Sequence, residues 1–237
     1  MTMPGTLYLF PVTLSDTALE QVLPEYNRNL LSQIRHFIVE EVRTARRFLK
    51  KADPGFDIDS CHFYELNKHT APEQIAGYLN PLKAGTDMGI LSESGCPAVA
   101  DPGADIVNLA QIRGYKVVPL VGPSSIILAL MGSGFNGQRF TFQGYLPVEK
   151  EERIKEIKRL EMRSYSEDMT QIFIETPYRN TKLLEDLSST LKPNTRICVA
   201  FDLTGTEEFI RTLPADEWKK KNAELTKKPC IFLIYKG

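Results

Sequence analysis

Residues 88–126 read MGILSESGCPAVADPGADIVNLAQIRGYKVVPLVGPSSI, and the order of apolar and turn-forming segments in them decides the fold class. Residues 88–91 are a short apolar run; residues 92–103 are small, polar and rich in turn formers. Residues 104–113 carry Ile106, Val107, Leu109, Ala110 and Ile112 at helical spacing, available for one buried face, and Gly114 suits the helix C-terminus. Val117, Val118, Leu120 and Val121 form a second apolar strand, and Gly122-Pro123-Ser124-Ser125 opens another helix. This is a β-loop-α-β unit with loops at the carboxyl ends of both strands, where open parallel sheets bind their ligands.

Upstream, strand patterns at 5–12, 36–40 and 61–66 alternate with helical patterns at 17–36, 41–51 and 72–84. Pro24 divides the first of these helices or starts one within it, and Ser15 or Asp16 is placed to cap the next helix. The alternation predicts a mainly parallel α/β sheet in an N-terminal domain, residues 1–121. Downstream, a helix at 126–133 and a strand at 140–145 precede a charged helix at 150–162. That helix turns Ile154, Ile157 and Leu160 inward and leaves a solvated Lys/Glu face. Strands at 171–175, 196–201, 209–212 and 230–235, with helices at 180–191 and around Trp218, predict a mixed α/β sheet over 122–237. No linker separates the halves, so they are expected to pack directly and leave a cleft, a preferred place for small ligands.

Composition narrows the function. The chain has 237 residues, 42% of them hydrophobic and 25% charged, with a net charge of −1. That balance gives no global signal for nucleic acid, although the helix at 41–51 carries Arg43, Arg46, Arg47, Lys50 and Lys51. No apolar run approaches the ~20 residues of a membrane span, and residues 1–5 do not read as a targeting segment. Four cysteines without CxxC spacing predict reduced, mostly buried thiols in a cytoplasmic protein. His36, His62 and His69 lack ligand spacing, so they read as structural and no metal is expected.

Neither GxGxxG nor GxxxxGK[ST] occurs, which disfavours Rossmann and P-loop readings. The glycines of 92–103 allow close backbone approach, and their small neighbours leave room for a group such as an adenosine. Glu40 and Glu41 end the second strand and Glu65 the third; each is a proton acceptor at a strand end or a surface carboxylate.

Residues 92–125 resemble the S-D-A-G-T-P-x-I-S-D-P-G and P-G-P-S motifs of the tetrapyrrole-methylase superfamily. More narrowly, they resemble its branch that methylates a ribose 2′-oxygen in small-subunit ribosomal RNA. GTLYLFPV resembles the first strand of that branch, and Glu40-Glu41-Val42-Arg43-Thr44 its E-D-T-R motif. RFTFQGYLP and IFIETPYR resemble R-F-x-F-x-G-F-L-P and I-F-Y-E-S-P-H-R. The likeness covers most of the chain in the expected order.

The resemblance implies the two-domain tetrapyrrole-methylase fold and a methyltransferase that binds S-adenosyl-L-methionine between its domains. It implies a homodimer, no metal, and ribosomal RNA or the small ribosomal subunit as partner. It also implies catalytic roles for Glu40, Arg43 and Glu65. Up to residue 124 it places cofactor contacts at Leu9, Pro11, Gly95, Cys96, Val99, Gly122 and Ser124. Beyond these it points to Ser125, Glu175, Ala200, Pro229 and Cys230, with Cys96 offering backbone rather than thiol chemistry.

Four motifs depart from the pattern. Thr13-Leu14-Ser15-Asp16 stands for P-I-G-N, and Tyr64-Glu65-Leu66-Asn67 for H-E-H-N. Glu93 and Cys96 replace the Asp and Thr of the glycine loop. Phe201-Asp202-Leu203-Thr204-Gly205 replaces R-E-L-T-K. The donor motifs are kept while those expected near the acceptor change. The alternatives are therefore a small-molecule acceptor such as a tetrapyrrole, or a non-catalytic S-adenosylmethionine-binding protein.

Overall fold

A computed structural model describes residues 3–67, 70–221, 225 and 227–237, so His69 lies outside the described residues. The chain divides into two units, Met1–Ser124 and Ser125–Gly237.

The first unit runs β1 (Thr6–Phe10), α1 (Leu19–Val22), α2 (Glu25–Leu31), β2 (His36–Val39), α3 (Val42–Ala52) and β3 (His62–Glu65). It continues with α4 (Pro72–Tyr78), α5 (Asn80–Lys83), β4 (Met88–Leu91), α6 (Gly103–Ile112) and β5 (Lys116–Pro119). Its strands pair in parallel in the order β3-β2-β4-β1-β5. Alternate strand residues serve opposite faces, as the pleat requires. Phe10, Phe37, Val39 and Leu91 pack with Leu31 of α2 and Leu49 of α3. Leu7, Leu9, Ile38 and Ile90 pack with Leu82 of α5 and Ile106 of α6. The connections leaving β1 and β2 thus cover one face, and those leaving β3 and β4 the other. Because β4 lies between β1 and β2, the chain reverses face on both sides of it, and crevices open there beyond the carboxyl ends.

The second unit runs α7 (Ser125–Ser133), β6 (Phe140–Tyr145), α8 (Lys150–Glu167), β7 (Thr170–Glu175), α9 (Asn180–Thr190) and β8 (Arg196–Phe201). It ends with β9 (Phe209–Pro214), α10 (Ala215–Lys221) and β10 (Cys230–Tyr235). Its sheet, ordered β6-β7-β10-β8-β9, is mixed: β6 and β7 are parallel and the other pairs antiparallel. Ile157 and Leu160 of α8 and Leu183 of α9 pack with Trp218, Phe173 and Phe232 in its main core.

Several local expectations are corrected. Neither Ser15 nor Asp16 caps a helix: Ala18 precedes α1, and Asp16 instead pairs with Lys51 at 2.8 Å. Ile112 is 73% exposed, because α6 ends at once in a Schellman turn. There Tyr115 N–H donates to the Ala110 carbonyl and Gly114, at φ +70, to that of Gln111, each at 3.0 Å. Val121 is 76% exposed, since pairing of β5 with β1 stops at Pro119. The helix expected at 72–84 breaks at Leu79, because Pro81 lacks the N–H a continuous helix would use. α8 runs on to Glu167, where Asp168 turns left-handed at φ 53. Its polar face is not wholly solvated either, since Arg153 and Glu161 are buried. Of the four thiols, all free, only Cys198 and Cys230 are buried.

Candidate active site

The loops leaving β1, β4 and β5 are laced together at the carboxyl edge of the parallel sheet. Val12 N–H donates to the Gly95 carbonyl at 2.9 Å as an isolated antiparallel bridge. The Cys96 thiol donates to the Pro123 carbonyl at 3.4 Å. Gly122 lies so close to Pro11 that a Cβ on it would be 2.3 Å from the proline Cβ. The Asn27 side-chain amide holds the Val121 carbonyl from α2 at 2.8 Å. Pro11, Gly95, Cys96 and Gly122 are therefore brought together, over a buried Leu9 whose carbonyl accepts Leu120 N–H at 3.1 Å. Ser124 closes this unit and Ser125 begins α7 of the next.

The loop from β4 to α6 is under local strain. Ala98 and Ala100 adopt positive φ, 64° and 60°, and half-exposed Val99 stands between them. Asp101 fastens this conformation, its Oδ1 accepting the N–H groups of Ala98 and Gly103 at 2.8 Å each.

Beside this loop, in the crevice between β2 and β4, lies a pocket with apolar walls from Ile38, Leu66, Ile90 and Leu91. Two carboxylates, Glu40 and Asp101, line it. Glu40 is half-buried, and its Oε1 accepts Glu93 N–H at 3.4 Å. Burial pushes the Glu40 carboxyl above its usual value; the Glu93 N–H opposes this, while the negative charges of Asp101 and Glu93 add to it. Burial raises Asp101 as well, against its two N–H bonds, and raises Glu93. Glu41 is exposed and accepts the Thr44 hydroxyl at 2.7 Å. Glu65 stands exposed on the outer strand β3, accepting the Asn67 amide at 3.4 Å, and the next residue, Leu66, lines the pocket instead.

On α3, Arg46 pairs with Asp59 at 3.2 Å, Lys51 is spent on Asp16, and Lys50 donates to the Phe56 carbonyl at 2.7 Å. Among the described residues no ion pair engages Arg43 or Arg47, both exposed.

In the second unit, Glu175 at the end of β7 faces Cys230 at the start of β10, and Ala200 of β8 faces Ile231. Glu175 Oε1 accepts Thr176 N–H at 2.6 Å and the Arg179 guanidinium at 2.7 Å, fixing the turn into α9. Ala200 and Cys230 are buried, and Pro229 is exposed just before β10. Burial pushes the Cys230 thiol up to about 12 and raises that of Cys96, so neither supplies a thiolate near neutral pH. His36 is bonded through Nδ1 to the Tyr64 hydroxyl at 3.0 Å and stacked on His62. Among the described residues no group of His, Cys, Asp or Glu could hold a metal ion.

By sequence Asp101 is one residue of the turn-rich run 92–103, and Glu93 stands for the Asp of the glycine loop. The signal that could have singled out Asp101 is its place before Pro102-Gly103, where a carboxylate accepts backbone N–H groups.

No family model matches the chain. The ribosomal RNA small subunit methyltransferase I of Vibrio cholerae is 30% identical over 210 residues, covering 87% of this chain and 70% of the relative. The protein of that name from Pseudomonas aeruginosa is 28% identical over 233 residues, 97% of this chain and 78% of the relative. Among solved structures, the methyltransferase CobJ is similar with a TM-score of 0.62 at 16% identity, covering 100% of this chain and 95% of that one. A uroporphyrin-III-C-methyltransferase from Thermus thermophilus gives 0.55 at 16% identity, over 98% and 92%. At that identity the structural likeness is one of fold.

Proposed function

Since the chain belongs to the ribosomal RNA small subunit methyltransferase I family, and so is an S-adenosylmethionine-dependent methyltransferase, we propose that its acceptor is a ribose 2′-hydroxyl of small-subunit ribosomal RNA. The observation that carries this reading is Glu40, a half-buried carboxylate at a strand end in a pocket whose walls are apolar apart from Asp101.

The residues suit the donor. The close-packed main chain of the Pro11, Gly95 and Gly122 loops lets backbone approach a donor without side chains in the way. When bound, S-adenosylmethionine supplies a methyl group activated by a sulfonium. The chain's own task is to orient the acceptor, exclude water and receive a proton. Pro11, Gly95, Cys96 and Gly122 would hold the donor through backbone, with Leu9, Val99 and Ser124 beside them. Glu40 would take the hydroxyl proton as the new oxygen–methyl bond forms, its raised proton affinity suiting it to the role. Arg43 would hold an acceptor phosphate, and Glu65 remains a second carboxylate on the adjacent strand. Ser125, Glu175, Ala200, Pro229 and Cys230 of the second unit are proposed as further cofactor contacts, supported by the resemblance of their motifs. The same resemblance supports two α/β domains, 1–121 and 122–237, and a cytoplasmic homodimer; no described helix is long and apolar enough to cross a membrane.

One observation favours a small acceptor instead: α3 spends the charge of Arg46 and Lys51 on its own neighbours. The test is transfer of labelled methyl to small ribosomal subunits, with cofactor binding read by calorimetry on S-adenosylhomocysteine. The expected result is label on a ribose 2′-oxygen, with turnover in Glu40→Gln falling about 100-fold or more while binding persists. Label in a metabolite extract but not in RNA would move the reading to a small acceptor. Binding without turnover on either would leave a binding protein.

A further inference from the structure

Resting on the reading of Glu40 as proton acceptor, we propose that Asp101 is a positioning residue for it. Two main-chain N–H groups lock Asp101 in place, so that its negative charge faces Glu40 in the pocket and keeps Glu40 ready to take a proton.

The geometry gives Asp101 two separable tasks. Its Oδ1 fastens a loop that holds Ala98 and Ala100 at positive φ. Its charge sits in the same apolar pocket as Glu40, where the low local dielectric strengthens their interaction. The surroundings of Glu40 are mostly acidic. The β4 loop brings Glu93, whose backbone N–H holds Glu40 while its carboxylate repels it, and the start of α6 brings Asp101. Next in sequence, Glu41 is exposed and occupied by Thr44. Glu65 is exposed at the register position paired with Val39, and Arg43 is exposed on α3. Of these, Asp101 is the charge fixed by two backbone bonds and lining the pocket with Glu40, so it sets a constant field rather than an adjustable one.

Asp101→Asn separates the tasks: the amide keeps an oxygen for both N–H groups and removes the charge. The readout is direct titration of Glu40 by NMR of 13Cδ-labelled glutamate in the full chain, its signal assigned by loss in Glu40→Gln. The Glu40 midpoint is expected to fall in Asp101→Asn, with thermal stability and S-adenosylhomocysteine affinity kept. Asp101→Ala, which also loses the anchor, is expected to lower both stability and affinity. A Glu40 midpoint that does not move in Asp101→Asn would overturn the proposal and reduce Asp101 to a loop anchor. That outcome is distinct from failure of the base reading, which would appear as full methyl transfer by Glu40→Gln and would overturn both.

Discussion

Gly122 lies against Pro11 where no Cβ fits: one built at 122 would lie 2.3 Å from the Cβ of Pro11 and 2.6 Å from its Cγ. The contact ties the loop after β5 to the loop after β1. Gly95 closes the same seam from β4 at φ +71, where a side chain is strained whatever the space. Gly122→Ala is therefore expected to cost about 1–3 kcal/mol, because neither partner is the far end of a flexible side chain. Gly95→Ala should cost about 1–2 kcal/mol for left-handed backbone alone. Denaturant unfolding of both variants measures this, and both should bind S-adenosylhomocysteine more weakly. A variant with unchanged stability would remove the seam as a constraint.

Glu40→Gln should gain stability while losing activity. Burial raises the Glu40 carboxyl in the folded chain, so the folded state holds a proton to higher pH than the unfolded one. Its contribution is fully favourable below the ordinary value of 4.5 and is lost as pH rises through the folded value. At neutral pH the ionised, half-buried group is then a burden, and glutamine relieves it while keeping an oxygen for Glu93 N–H. The thermal midpoint of Glu40→Gln should exceed that of the parent at pH 7 to 8 and converge with it near pH 4. A difference of constant size across that range would mean the gain has another origin.

Arg153 and Asp186 form a buried pair at 2.6 Å, and Arg153 also donates to the Pro147 carbonyl at 3.1 Å. Arg153→Met strands the Asp186 charge, with only Lys182 in reach among the described residues, at 3.7 Å, and should cost about 3–5 kcal/mol. Replacing both partners, Arg153→Met with Asp186→Leu, should recover most of that loss, because the cost lies in the orphaned charge. Urea unfolding of the two variants decides it.

This pair also marks the limit of what the chain's pattern reveals. Period-two spacing of Leu7 and Leu9, and helical spacing of Ile157 and Leu160, are local, so strands, helices and both sheet types are legible. Arg153 looks like any other charge on a charged helix until α9 brings Asp186 to it from 33 residues away. The candidate site divides in the same way. The glycine and proline loops announce themselves by composition. That Asp101 faces Glu40 depends on β4 inserting between β1 and β2, a crossover no window of sequence contains.

Arg43 and Arg47 should be where ribosomal RNA is felt first. A guanidinium already held by a carboxylate gives up part of that bond before it can hold a phosphate; an unengaged one does not. On α3, Arg46 is held by Asp59 and Lys51 by Asp16, whereas Arg43 and Arg47 are exposed with no ion pair among the described residues. Each phosphate neutralised releases counterions, so log affinity falls against log salt with a slope near −0.7 per contact for single strands. Arg43→Ala and Arg47→Ala should each weaken binding to small-subunit RNA and flatten that slope by about one contact. Arg46→Ala should leave the slope alone and cost at most about 1 kcal/mol of stability, since its pair is exposed. Fluorescence anisotropy across a salt series reads all three. Equal slopes in all four proteins would place the RNA-binding surface elsewhere on the chain.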